Sequence, residues 1–138
     1  ARVESSRGRG QDGHMARLTQ IVVDSRDPSS LARFWAAALD DFAIGAYDDD
    51  EIARLASIGR TPETDPCVIL DGPMLEMCFQ EVEVPAMQKR PMHIDIETTD
   101  RIHEQSRLVS LGASIVQEFD AHTWMRDPEG NDFCLTDG

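Results

Sequence analysis

The chain has 138 residues, 13 Lys and Arg against 26 Asp and Glu, and a formal net charge of −13 at pH 7. That length holds one domain, or two very small units sharing a core. So acidic a surface repels phosphate backbones and anionic lipid, which sets nucleic acid and membranes aside as expected partners.

Residues 1–14 are rich in Arg, Gly and Ser, carry Val3 as their one branched aliphatic residue, and end in His14-Met15. They read as a vector-derived or disordered leader, with a single domain over 15–138. The leader has Arg2, Arg7 and Arg9 against Glu4 and Asp12, a net of +1, so the remainder carries −14 where the whole chain carries −13. Lys89 is the one lysine. Self-repulsion that favours solubility is the expected use of this charge.

In chain order, Leu18 to Asp24 reads as a strand. Asp27-Pro28-Ser29-Ser30 then starts a helix, with an Asp cap and Pro in the first turn. Leu31, Phe34, Trp35, Ala38 and Leu39 form its apolar stripe, and it ends near Asp40-Asp41. Phe42 to Tyr47 fits a short strand. Asp48 to Glu51 is a run of four acids, read as solvated surface. Ile52 to Ile58 fits a short helix ended at Gly59, and Thr61 to Pro66 a loop. Cys67 to Asp71 and Met74 to Gln80 read as strands joined through Asp71-Gly72-Pro73. Pro85 to Pro91 is a connector.

The order then repeats. A strand from Met92 to Glu97 leads to a helix over about Thr99 to Leu111, stopped at Gly112. Strands follow at Ala113 to Phe119 and His122 to Asp127. Asp127-Pro128-Glu129-Gly130-Asn131 turns tightly into a last strand, Asn131 to Thr136. The tight turns predict antiparallel neighbours.

Strand side chains alternate faces, and four of these strands divide by polarity. Gln20 opposes Ile21 and Val23. Glu76, Cys78 and Gln80 oppose Leu75, Met77 and Phe79. His93 and Asp95 oppose Ile94 and Ile96. Asp132 and Cys134 oppose Phe133 and Leu135. The apolar faces suit helices, with Ile21, Leu75, Ile94 and Phe133 beneath them, and the polar faces suit a cup for a ligand or metal. The cysteines Cys67, Cys78 and Cys134 lack CxxC spacing, and neither a secretory leader nor a membrane-length apolar run is read. A reducing, cytoplasmic setting is expected, with small core filler as their default role.

Phe34 to Leu39 after Asp27-Pro28, Met92-His93-Ile94-Asp95, Leu111-Gly112-Ala113, and Asp127 to Cys134 together resemble the vicinal oxygen chelate superfamily, and more narrowly its glyoxalase-like, bleomycin-resistance-protein-like members. The resemblance covers Met15 to Gly138. It implies an α+β fold of two βαβββ modules, about 15–90 and 91–138, forming a curled mixed sheet around a central cavity. This is the glyoxalase/bleomycin resistance protein/dihydroxybiphenyl dioxygenase fold.

The resemblance also implies a divalent metal, such as zinc, held by one side chain from the first and last strand of each module. By position these are Gln20, Glu76, His93 and Cys134, with Cys78 in place of Glu76 if the register moves one step. Cys134 departs from the family, which usually has Glu there. In glyoxalase I that carboxylate moves the substrate proton, and a metal-bound thiolate is no substitute. Without a metal, His93 and Cys134 would be a hydrogen-bonded side chain and core filler.

Two classes of function follow. One is a small-molecule binder without glyoxalase I activity, with His93, Asp95 and Trp124 as ligand contacts. The other is a metal-dependent lyase, isomerase or ring-cleaving dioxygenase. The charge favours neutral or cationic ligands over glutathione conjugates. His103 is expected on the surface of the second helix, and His122 at a strand edge. A homodimer is expected, because the cavities of this superfamily often sit beside a partner module.

Overall fold

The computed structural model describes residues 18, 20–83 and 93–138. The leader at 1–14, Lys89, the connector Pro85 to Pro91 and Met92 lie outside the described residues. Within them run β1 (Gln20–Ser25), α1 (Pro28–Ala38), β2 (Ala43–Ile44), α2 (Asp49–Ser57), β3 (Cys67–Asp71) and β4 (Glu76–Glu81). The second half holds β5 (Ile94–Thr98), α3 (Arg101–Ser110), β6 (Ser114–Glu118), β7 (His122–Arg126) and β8 (Asp132–Asp137). Both halves repeat strand, helix, three strands, with α2 and a 3-10 turn at Pro62–Thr64 inserted in the first. The fold is α+β.

The strands form two four-stranded mixed sheets, ordered β1-β4-β3-β2 and β5-β8-β7-β6. The tight turns join antiparallel neighbours as expected, β3 to β4 and β7 to β8. The first strand of each half pairs in parallel with the last, Gln20 opposite Glu76 and Asp95 opposite Cys134.

Local chemistry sets the helix starts. Asp27 accepts the Ser30 amide at 3.2 Å with Pro28 behind it, and Asp100 accepts the His103 amide at 3.1 Å. The acid run is not idle surface. Asp48 caps α2 by accepting the Glu51 amide at 2.8 Å, and Asp49, Asp50 and Glu51 fill the first turn. Carboxylates there face the positive end of the helix dipole, so α2 begins earlier than its apolar residues suggest. Gly112 at φ 116° and Gly130 at φ 84° stand in left-handed backbone that L side chains resist. The first follows α3, and the second closes the turn before β8, its amide donating to the Asp127 carbonyl at 2.9 Å.

One core serves both sheets. Leu31, Phe34, Trp35 and Ala38 of α1 cluster with Val68, Leu70, Met77 and Phe79 of the first sheet. The same cluster holds Leu108 of α3 and Met125, Phe133 and Leu135 of the second sheet. Leu75 and Ile94 pack against it partly buried, while Ile21 is half-buried outside the cluster. Trp35 makes edge-to-face contacts with Phe34 and Phe133 at 5.2 and 5.1 Å.

Polar bonds tie α1 to the second half. The Trp35 indole N–H donates to buried Asp127 at 3.0 Å. The Asp127 carboxylate also takes the amides of Glu129 and Asn131, each at 2.9 Å, and the Asn131 side-chain amide at 2.7 Å. Glu129 accepts the Arg26 amide at 2.6 Å and the hydroxyl of fully buried Ser25. Arg107 on α3 donates to the carbonyls of Ala37 and Ala38 at 2.8 and 3.0 Å, satisfying the end of α1. The Trp35→Phe variant keeps an aromatic ring at the edge-to-face contacts and removes one donor from a buried carboxylate. It should lose about 1–3 kcal/mol of stability in chemical denaturation.

Candidate functional site

The core takes one face of each sheet, so the alternate side chains face away from it. On the first sheet, Gln20 and Glu76 sit opposite each other, and the Gln20 amide donates to the Glu76 carboxylate at 3.2 Å. Glu76 and Gln80 are exposed, and Val22 between Gln20 and Asp24 is 52% exposed. Cys78, between Glu76 and Gln80, is buried.

On the second sheet, the parallel register sets Asp95 beside Cys134, and the antiparallel register sets Trp124 on its other flank. His93 precedes Asp95 by two residues, and its Nε2 lies 3.1 Å from the Asp95 carboxylate. Single ligand atoms of His93, Asp95 and Cys134 all lie within 4.8 Å of one another. Among the described residues, this is the one such group of three or more His, Cys, Asp and Glu.

The four positions expected to hold a metal therefore fall in two sets. Gln20 and Glu76 pair on one sheet. His93 and Cys134 meet on the other, with Asp95 as their third member rather than Glu76. Sequence alternation places Asp95 and His93 on one face, but the meeting with Cys134 depends on β5 pairing with β8, which spans 40 residues of chain.

Trp124 is half-buried, and its indole N–H donates to Asp132 at 3.0 Å. Asp132 also takes Arg126 Nε at 3.0 Å, and the Arg126 guanidinium lies 5.6 Å from the Trp124 ring centre. Asp132 thus orients the aromatic wall beside Cys134, a role the sequence reading did not assign. His103 is exposed, as expected, and His122 is half-buried with its ring stacked on Phe119 at 4.5 Å.

Electrostatics keep the Cys134 thiol neutral. Partial burial, then the negative charges of Asp95 and Asp132, raise its pKa above the ordinary thiol value. A divalent cation would reverse that balance, drawing the thiolate, the Asp95 carboxylate and the His93 imidazole to itself. Imidazole, carboxylate and thiolate are all zinc donors, and three protein ligands with a fourth position open is the form of a catalytic zinc site. The donor set fits. The His93–Asp95 contact must open or rearrange for both to ligate.

Beside Cys67, burial first and the Asp65 hydrogen bond second push the Tyr47 phenol well above its ordinary pKa. Its hydroxyl donates to Asp65 at 2.7 Å. Burial, followed by the contact with Cys67, pushes the Cys78 thiol up to about 12. A separate cavity of about 520 Å³ lies between the end of α1, the edge strand β5 and α3. Asp40, Glu97, Glu104 and Arg107 line it, and none of the expected site residues does.

A family model described as a glyoxalase-like domain matches residues 20–136. Among solved structures, the fosfomycin resistance protein FosX from Mesorhizobium loti superposes with a TM-score of 0.64 at 15% identity, over 91% of this chain and 94% of that one. A glyoxalase-related enzyme from Fulvimarina pelagi gives 0.63 at 13% identity, over 90% and 89%. A glyoxalase/bleomycin resistance protein/dioxygenase family enzyme from Burkholderia phytofirmans gives 0.61 at 17%, over 88% and 98%. No curated protein matches in sequence. At these identities the likeness speaks for the fold.

Proposed function

Because the chain belongs to the glyoxalase-like domain family of the vicinal oxygen chelate superfamily, we propose that it binds a small, partly apolar molecule on the polar face of its second sheet, without glyoxalase I activity. The observation that carries this is the meeting of His93, Asp95 and Cys134 beside Trp124. The His93 imidazole can donate, accept or ligate, Asp95 accepts, and Trp124 supplies an aromatic wall. The acids Asp95 and Asp132 favour a ligand with a cation or a donor group over an anion. A thermal-shift panel of basic, partly aromatic compounds tests this. His93→Ala should weaken the binding of any hit by about 1–3 kcal/mol with the fold retained. Unchanged affinity in the variant removes His93 from the site.

The second reading is a metal-dependent lyase, isomerase or dioxygenase, favoured by the zinc-compatible donor set. In that reading zinc supplies a Lewis acid, and the residues of this chain hold it. His93, Asp95 and Cys134 would be the holders, with Gln20 and Glu76 set apart on the other sheet. Calorimetric titration of chelator-free protein with zinc should then show binding that His93→Ala weakens at least about tenfold. Absent zinc binding sinks this reading and leaves the first.

Glyoxalase I chemistry needs a base that takes a proton and returns it. Position 134 offers a thiol instead of a carboxylate, so no appreciable turnover of the methylglyoxal–glutathione adduct is expected with added zinc or nickel. Cys134→Glu restores the carboxylate and is the informative variant, because a change in zinc affinity on this substitution marks position 134 as a ligand. Robust turnover by the unaltered chain contradicts the proposal.

The polar faces stand open, with His93 55% and Asp95 61% exposed. An enclosed chamber therefore needs a further wall, and a second copy of the chain is the partner proposed to supply it. Sedimentation at micromolar concentration should show a dimer, and a monomer alone counts against it.

A further inference from the structure

Cys67 and Cys78 were expected as filler, yet their geometry is that of a reactive pair. On the antiparallel ladder Cys67 sits opposite Gln80 and Ile69 opposite Cys78, so the two cysteines share one face as diagonal neighbours. Their sulfurs lie 3.0 Å apart, against about 2.05 Å in a disulfide. About one ångström of approach would therefore form the bond. Both are free thiols, Cys67 exposed and Cys78 only 5% exposed. The backbone at Cys67 is anchored, since its amide donates to buried Asp65 at 2.9 Å. Cys134 lies in the other sheet and has no part in this contact.

We propose that Cys67 and Cys78 are a reversible thiol–disulfide site, in which exposed Cys67 reacts with a small disulfide oxidant and buried Cys78 resolves the adduct. With oxidised glutathione as the oxidant, the Cys67 thiolate attacks one glutathione sulfur. The glutathione disulfide breaks, and one glutathione leaves and takes up the proton that Cys67 lost. The Cys78 sulfur then attacks the Cys67 sulfur, and the second glutathione leaves with the Cys78 proton. Two protein thiols are oxidised by two electrons, and one disulfide is reduced to two thiols. Access decides the order of steps, since Cys67 meets solvent and Cys78 has little room for a bulky adduct. The product would pin β3 to β4, the strand that carries Glu76.

The test treats the full chain with oxidised glutathione at neutral pH and reads intact mass and peptides. The expected product has lost two hydrogens, carries no glutathione, and returns to the starting mass with dithiothreitol. Cleavage after Glu76 separates the two cysteines, so their peptides should stay joined until reduction while Cys134 remains alkylatable. Cys78→Ser should stop at a glutathione adduct on Cys67, and Cys67→Ser should block the pairing. A stable adduct on Cys67 of the unaltered chain overturns the proposal. So does a link through Cys134, a link between chains, or three thiols left free. The mapping of unaltered protein stands by itself if either variant fails to fold.

Discussion

A buried carboxylate holds the two halves in register. Asp127 is 3% exposed and accepts four hydrogen bonds, three from its own turn and one from the Trp35 indole. A charge in that position is tolerated only because each lone pair finds a donor. The turn donors shape the entry to β8, and the indole fixes α1 against it. Glu129 repeats the device from the same turn by gripping Ser25 and the Arg26 amide. The edge-to-face packing of Trp35 on Phe133 supplies burial, and the polar bonds set which way α1 lies.

That arrangement decides where chemistry is available. Since α1 and α3 share one core with both sheets, the apolar residues of β3, β4, β7 and β8 are spent inside the chain, while β6 stays exposed. The polar faces carrying Gln20 with Glu76, and His93 with Asp95 and Cys134, point away from that core. The second has the better-assembled donors, because parallel pairing of β5 with β8 sets Asp95 level with Cys134 while Asp132 steadies Trp124.

Much of the fold was legible in the residues. Alternation separated the two faces of β4, β5 and β8, and Asp27-Pro28 and Asp127 to Asn131 marked a helix start and a turn through local chemistry. Helix α2 began early because its acids act on a dipole, a reason that hydrophobic spacing does not contain. The site was only partly legible. The face of each residue follows from a period of two, which puts His93 and Asp95 on one face of their strand and Cys134 on the polar face of another. Which faces meet depends on how the sheets share a core, and that hides in contacts such as Trp35 to Asp127. The approach of Cys67 to Cys78 was likewise invisible, since it depends on a strand register set by the turn at Asp71-Gly72-Pro73.

The latch between the halves also governs the timing of folding. Trp35 and Asp127 are 92 residues apart, and Ser25 and Glu129 are 104. Neither contact exists until the ribosome has released the segment around 127–133. During synthesis α1 and the first sheet must wait with Trp35 uncovered on the side that Phe133 will fill. Long-range closure of this kind slows folding and prolongs the time in which sticky surface is open to other chains. The high negative charge of the chain is well suited to that interval, because growing chains that repel one another are less apt to clump before the latch engages.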